Sequence, residues 1–214
     1  MRETLIIMVR HGATEWNRLS RYQGRLDVPL SAEGLAQCRA LAGALSRVKL
    51  AAVYASPLSR ALSCAREVAA RHGLPAIPLA GLEEICHGEW EGMLLSEVEE
   101  KYGCLLQRWR TLPYTVRMPG GESLQEVEER AWRALEFMAG AHPGEAVLAV
   151  THDTPIRAVL RRMLNLDQRA FWQIKLDNTG INVFGFCRGR WRVITLNDTC
   201  HLGGWLVAGE QLAL

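Results

Sequence analysis

Two short segments of the sequence combine side chains that suit chemistry on an anion. Arg10, His11 and Gly12 follow five apolar residues directly, and His152 closely follows a second apolar run. An imidazole can act as a nucleophile, and a guanidinium binds phosphate or carboxylate through its forked donors. Taken alone, the first tripeptide favours a simpler interpretation, a strand end with a solvated arginine and a turn glycine. The elements around these residues decide between the two interpretations.

Both apolar runs are typical of strands buried on both faces of a sheet. Residues 5–9 include three β-branched side chains, and residues 146–150 are entirely apolar, as in the strands of α/β proteins. Segments with helical apolar spacing alternate with such runs, and residues 180–196 show the pattern of a β-hairpin. The sequence therefore predicts an α/β fold: a three-layer sandwich with a mostly parallel central sheet and an antiparallel edge hairpin.

Capping signals predict where the helices begin and end. Ser31 and Ser123 are expected N-caps, the latter with Glu126 in a capping box. Ser56–Pro57 is expected to open a helix that carries Arg60 and stops at Gly73, because proline suits a first turn and glycine a helix end.

The middle of the chain is the least patterned part. Ser96 and Glu99 resemble a capping box and predict a short helix that Gly103 ends. Residues 104–121 are expected to be rich in loops, as in many lids and binding loops. We therefore expect one domain over residues 1–214, with residues 86–121 as a substrate-facing lid or insertion.

The predicted topology brings the reactive side chains together. Because the carboxyl ends of parallel strands meet at one edge of a sheet, His11 and His152 are expected there. Arg60 falls near the same edge, at a helix N-terminus whose backbone N–H groups favour phosphate. The expected anion-binding pocket contains these three residues together with Arg10, Asn17 and Gln23.

Composition narrows the class of protein further. The 214 residues are 49% hydrophobic and carry a formal net charge of +2, which argues against a general nucleic-acid surface. The six cysteines are scattered, without a CxxC pair or zinc-ligand spacing. The N-terminal apolar run is too short for a signal segment, and no stretch reaches membrane-spanning length. A cytoplasmic protein without membrane contact is expected.

Several segments, in order along nearly the whole chain, resemble the histidine phosphatase superfamily, the family with the phosphoglycerate-mutase-like fold. They are residues 9–17, 23–24, 30–34, 55–61, 82–84, 88–92, 119–123 and 150–152. The resemblance implies that His11 is the nucleophile and that Glu84 is the general acid and base, with no metal or cofactor. It also implies that the phosphoryl oxygens are held by Arg10, Asn17, Gln23, Arg60 and His152.

One position departs from the pattern of many relatives. Asp153 stands where they have glycine, and in the acid-phosphatase and phytase branch such an aspartate is the proton donor. We prefer Glu84 as the acid and expect Asp153 to pair with Arg157 one helical turn on. His87, three residues past Glu84, is a candidate substrate contact, with a surface position as the alternative.

The resemblance implies a phosphomonoesterase that hydrolyses small phosphorylated metabolites through a phosphohistidine. The alternatives are a phosphoglycerate mutase, an alpha-ribazole phosphatase of cobalamin assembly, and a catalytically silent phospho-ligand binder. Oligomeric state stays open: the apolar residues 205–207 of the tail are a candidate surface for a homodimer.

Overall fold

A six-stranded sheet forms the centre of the computed structural model, which describes residues 2–204. Its strands are β1 (Thr4–Arg10), β2 (Leu50–Ala55), β3 (Ala76–Pro78), β4 (Ala146–Thr151), β5 (Ile181–Cys187) and β6 (Arg190–Asp198). The order is β3-β2-β4-β1-β5-β6, in which the first four strands are parallel and β5 is antiparallel to both neighbours. The predicted parallel sheet with an antiparallel edge hairpin is confirmed.

Helices cover both faces of this sheet. They are α1 (Glu15–Arg18), α2 (Ala32–Leu45), α3 (Ser59–His72), α4 (Leu95–Thr111), α5 (Leu124–Ala141) and α6 (Asp153–Leu164). Helices α2 and α3 bury side chains such as Leu41 and Val68 against one face. Helices α5 and α6 bury Leu135 and Ile156 against the other. Because each helix has one apolar stripe to bury, the result is the predicted three-layer sandwich.

The capping predictions hold at three sites. The Ser31 hydroxyl accepts the N–H of Gly34 at 3.0 Å, and Ser123 forms a reciprocal capping box with Glu126. Gly73 ends α3 in the left-handed region, with φ of 64°, where a residue without Cβ carries no steric penalty.

The start of α3 differs from the prediction. The helix begins at Ser59 with Leu58 as its N-cap, so Ser56–Pro57 lies before it. The N–H of Ser56 still donates to the carbonyl of Val150 at 2.9 Å. The backbone at Ser56 therefore still pairs with β4, and the helix begins only three residues later, at Ser59. Arg60 nevertheless falls in the first turn, as expected.

The predictions for the middle of the chain are wrong in two respects. Leu94, not Ser96, is the N-cap of α4, and the Glu97 carboxylate accepts the Leu94 N–H at 2.6 Å. The helix also continues past Gly103 to Thr111, with only a kink at Tyr102.

Tertiary packing explains why the helix persists. Leu106 and Trp109 are fully buried in an apolar cluster with Trp90 and Val98, and their burial outweighs the poor helix propensity of one glycine. The loop-rich prediction thus fails for residues 104–111.

Within residues 2–204, no helix is long and apolar enough to cross a membrane. The candidate dimer surface at residues 205–207 lies outside the described residues.

Candidate active site

A small cavity of about 50 Å³ opens at the carboxyl edge of the parallel strands. It is lined by Arg10, His11, Asn17, Arg21, Tyr22, Gln23, Gly24, Arg60, Glu84, His87 and Asp153. All but one of the predicted site residues are therefore at one cavity. The exception, His152, lies next to it, with its ring centroid 5.0 Å from that of His11 in an edge-on arrangement.

Main-chain contacts fix the position of His11 at the end of β1. Its N–H donates to the Thr151 carbonyl at 2.9 Å, and its carbonyl accepts from the Asn178 amide at 2.8 Å. The ring Nδ1 lies 2.7 Å from the Gly12 carbonyl. Since a carbonyl only accepts, Nδ1 carries the proton and Nε2 keeps its lone pair.

The surroundings of His11 keep this imidazole neutral. Burial, followed by the positive charges of Arg60 and Arg10, holds its pKa well below the usual value of 6.5. The side chain is 3% exposed. A neutral imidazole with a free Nε2 lone pair is the form that can attack an electrophile.

His152 supports this arrangement from the end of β4. Its Nε2 lies 2.8 Å from the Ser56 hydroxyl. Burial and then the charge of Arg60 lower its pKa well below 6.5. Its Nδ1 is buried and has no hydrogen-bond partner among the described residues, so this atom is available to a ligand. Its predicted contact with a phosphoryl oxygen stays a prediction.

Two arginines are held by backbone carbonyls beside His11. Arg60 is 1% exposed and donates to the carbonyls of Leu26 at 2.8 Å and Gly24 at 2.6 Å. Burial lowers its pKa to about 10, which leaves it charged near neutral pH. Arg10 donates to the Leu176 carbonyl at 2.8 Å. Carbonyl contacts orient both guanidiniums at the cavity, where Arg10 also lies 3.9 Å from the Asp153 carboxylate.

Thr14 orients the two neutral donors of the pocket. The Asn17 Oδ1 atom accepts the Thr14 N–H at 3.0 Å, and the Gln23 Oε1 atom lies 3.0 Å from the Thr14 hydroxyl. With both amide oxygens engaged, the NH₂ groups of Asn17 and Gln23 remain as donors for a bound anion.

Two carboxyl groups line the cavity in different environments. Glu84 is partly buried, and desolvation followed by the charge of Asp153 raises its pKa above the usual 4.5. Asp153 accepts from Arg157 Nε at 2.6 Å and lies 3.9 Å from Arg10. The predicted Asp153–Arg157 pair is confirmed. Glu84 is thus the better proton donor and Asp153 the better anion.

The turn after His11 lies directly against the first turn of α2. A Cβ built on Gly12 would lie 2.4 Å from the Gly34 carbonyl oxygen and 2.9 Å from Cys38 Sγ. One built on Gly34 would lie 2.0 Å from the Ala13 carbonyl oxygen. Such distances exclude a side chain at either glycine, so the close backbone approach sets where the His11 turn sits.

His87 is part of the cavity wall, and the surface alternative is wrong. Its ring is 3% exposed and packs edge-on against Tyr22, with centroids 5.0 Å apart, and against Trp109. Burial lowers its pKa to about 3, so it is neutral near pH 7.

Other contributors were missed by sequence reasoning. Arg21 and Tyr22 line the cavity, and their place between Asn17 and Gln23 was a usable signal. Leu176 and Asn178, which hold Arg10 and His11, had no signal because they lie far along the chain in an irregular segment.

Comparison with known proteins agrees with this geometry. Residues 6–199 match the model of the histidine phosphatase superfamily, branch 1. The chain belongs to this superfamily. It is 41% identical over 206 residues to phosphoserine phosphatase 1 of Hydrogenobacter thermophilus, covering 96% of this chain and 98% of that protein.

Solved structures show the same fold. YhfR of Bacillus stearothermophilus superposes with a TM-score of 0.89 at 28% identity, covering 93% of this chain and 99% of that one. A mutant phosphoserine phosphatase of Entamoeba histolytica, in complex with phosphoserine, gives a TM-score of 0.80 at 27% identity with the same coverage. This histidine phosphatase is therefore a hydrolase, a phosphatase of small phosphorylated metabolites.

Proposed function

We propose that this histidine phosphatase hydrolyses phosphoserine without a metal, through a phosphohistidine on His11 and with Glu84 as the general acid and base. The observation that carries the proposal is the meeting, in one cavity, of a neutral imidazole with a free Nε2 atom and a partly buried carboxyl group whose pKa is raised. The phosphoserine phosphatases among its relatives support the choice of substrate.

In the first step, the Nε2 lone pair of His11 attacks phosphorus. The nitrogen–phosphorus bond forms as the bond from phosphorus to the serine oxygen breaks, and Glu84 gives its proton to that oxygen. Arg10, Arg60 and the amide donors stabilise the charge on the phosphoryl oxygens. Serine leaves as a neutral alcohol, and Glu84 is left as a carboxylate.

In the second step, Glu84 accepts a proton from water as the water oxygen attacks phosphorus. The nitrogen–phosphorus bond breaks, its electron pair returns to Nε2, and inorganic phosphate leaves. The same carboxyl group thus acts first as acid and then as base, which restores the starting protonation state.

The charges of the cavity favour a substrate with both an ammonium and a carboxylate group. Beyond Arg10 and Arg60, the cavity is lined by the cation Arg21 and by the anion Asp153. We assign selection of the substrate to this part of the wall and to the segment of residues 86–121, in which His87 faces the cavity. A zwitterion such as phosphoserine matches both charges.

Leaving-group dependence tests the role of Glu84. An alkyl phosphate needs protonation of its leaving oxygen, whereas p-nitrophenolate leaves without it. Glu84→Gln is expected to lose about 10²–10⁴-fold in kcat/KM with phosphoserine and far less with p-nitrophenyl phosphate, because kcat/KM reports on the first step and not on hydrolysis of the phosphoenzyme. Asp153→Asn serves as the matched carboxyl replacement. If Asp153→Asn is the variant whose kcat at saturating substrate falls with phosphoserine alone, Asp153 is the acid and the assignment is wrong; a change confined to KM reflects binding of the substrate ammonium group.

A panel of substrates tests the choice of phosphoserine, the independence from metal and the phosphohistidine on His11. With EDTA present, phosphoserine is expected to be the preferred substrate over other phosphomonoesters, and an acid-labile phosphate label is expected on the wild type but not on His11→Ala. Net conversion of 3-phosphoglycerate to 2-phosphoglycerate exceeding phosphate release, or no label on the wild type, would contradict the proposal.

A further inference from the structure

Arg130 on α5 forms hydrogen bonds to the backbone that carries Glu84. Its Nη1 atom donates to the carbonyls of Gly81 at 3.0 Å and Glu83 at 2.6 Å, and its Nη2 atom donates to the carbonyl of Glu84 itself at 2.9 Å. The side chain is 17% exposed. One guanidinium therefore holds three carbonyls within four residues of the loop, a geometry that suits its planar fork.

Glu122 in turn orients Arg130. Its carboxylate accepts from Arg130 Nε at 3.1 Å and from Nη2 at 3.0 Å, a bidentate pair. The same carboxylate accepts the backbone N–H of Cys86 at 2.9 Å and the guanidinium of Arg25 at 2.8 Å. The backbone is thus held on both sides of Glu84, before it by Arg130 and after it by Glu122.

The loop needs this support because it has little regular structure. Residues 79–87 form neither helix nor strand. A tie to the sheet comes from Thr151, whose hydroxyl donates to the Leu82 carbonyl at 2.6 Å. Helix α5, by contrast, buries Val127, Ala131 and Leu135 completely. Arg130 therefore connects an irregular loop to a helix that is fixed in the core.

We propose that Arg130, held by Glu122, is a positioning residue for the first chemical step. By fixing the backbone of Glu84, it places the carboxyl group within reach of the leaving oxygen. This inference rests on the proposed role of Glu84 as the acid. Arg130 does not line the cavity, so it acts through Glu84 and not on the substrate.

The variant Arg130→Met tests the inference with the same two substrates. A misplaced acid slows the first step only for the substrate that needs it, so kcat/KM with phosphoserine is expected to fall about 10²-fold, while kcat/KM with p-nitrophenyl phosphate changes little. Arg130→Lys keeps the charge but not the fork, and it is expected to show the same selective loss. That result separates positioning from a change in electrostatic potential.

Arg133→Met is the matched control. Arg133 lies one turn further along α5, is exposed, and pairs with Glu129 on the same helix, so its removal is expected to leave both rates unchanged. Glu122→Gln gives a second, milder test, because it weakens the pair that orients Arg130. It is expected to reduce kcat/KM with phosphoserine selectively, and it replaces Arg130→Met as the test if that variant does not fold.

The possible results separate the two proposals. If Arg130→Met, or Glu122→Gln in its place, lowers kcat/KM equally for both substrates, Arg130 is only structural and the inference fails. If Glu84→Gln itself shows no dependence on the leaving group, the proposed function fails first. Selective loss in Glu84→Gln together with selective loss in Arg130→Lys supports both.

Discussion

The two halves of the active site are built in different ways. His11 and His152 follow directly from the ends of two neighbouring strands, and the backbone of His11 continues the pairing of β1 with β4. Glu84 lies in an irregular loop that a side chain 46 residues away, that of Arg130, holds in place. His11 is held by main-chain hydrogen bonding to β4 and by one side chain, that of Asn178. The loop of Glu84 is held by the side chains of Arg130 and Glu122. The position of His11 should therefore be less sensitive to substitutions of distant side chains than the position of Glu84.

The largest expected effect is on the nucleophile half. His11→Ala removes the proposed nucleophile, so kcat is expected to fall on the order of 10⁶-fold. The loss should be of similar size for phosphoserine and p-nitrophenyl phosphate, because no leaving group compensates for a missing nucleophile. Steady-state rates with both substrates check this, with circular dichroism as the control for folding. Substantial residual turnover with either ester would contradict the assignment of His11.

A smaller effect is expected where the halves meet, at Asp153. The charged groups that act on the Glu84 carboxyl are Asp153 from α6, which raises its pKa, and Arg60 from α3, which lowers it. Replacing Asp153 by Asn removes the raising charge, so the pKa of Glu84 falls and its proton is lost at lower pH. The basic limb of kcat/KM for phosphoserine should move down by about one pH unit.

Profiles of kcat/KM against pH for wild type and Asp153→Asn measure this shift. Ionisation of the substrate is the same for both enzymes and does not affect the difference. Glu145→Gln is the control, because that carboxylate is 55% exposed and pairs with His142 before β4, away from the cavity. An unmoved basic limb in Asp153→Asn would show that the two carboxyl groups do not interact.

The smallest effect concerns the stability of the acid half. His87 has a folded-state pKa of about 3 against a usual value of 6.5, so the unfolded chain binds its proton first as the pH falls. The stability that depends on neutral His87 is complete above pH 6.5 and decreases below it. Between pH 7 and pH 5 this residue should account for about 2 kcal/mol of lost unfolding free energy.

Urea unfolding of wild type and His87→Phe at the two pH values checks this expectation. Phenylalanine keeps an aromatic ring against Tyr22 and Trp109 but binds no proton, so the variant should lose less stability on acidification. The corresponding replacement of His72, at the end of α3, is the control. Equal losses in wild type and His87→Phe would mean that His87 is accessible to protons in the folded state.

The contrast between the halves also explains which features the sequence predicts. The strand before His11 and the caps at Ser31 and Ser123 depend on neighbouring residues, so local patterns are sufficient to find them. The end of the helix at Gly103 was predicted wrongly because burial of Trp109, a long-range contact, decides it. The role of Arg130 could not be predicted for the same reason: its partners lie in another segment and are mostly backbone carbonyls, which every residue has.

Glu84 is intermediate between these cases. Its neighbours in the sequence do not distinguish it from Glu83, and only the resemblance to the family selected it. In the structure, Glu83 accepts the N–H of Gly81 at 2.6 Å, whereas Glu84 lines the cavity. Glu83 and Glu84 therefore differ in the direction in which the loop points their side chains. Composition and residue spacing do not predict this direction.

The backbone contact between Gly12 and Gly34 limits how such an enzyme can evolve. A single methyl group on either glycine would come within 2.4 Å of a main-chain oxygen, and no neighbouring mutation can shrink a peptide group. Single substitutions of Gly12 or Gly34 are therefore not expected to give a variant with altered catalysis. Substitutions that change substrate preference are instead expected in the cavity wall around His87 and Arg21. There one side chain can replace another without moving the backbone of the His11 turn.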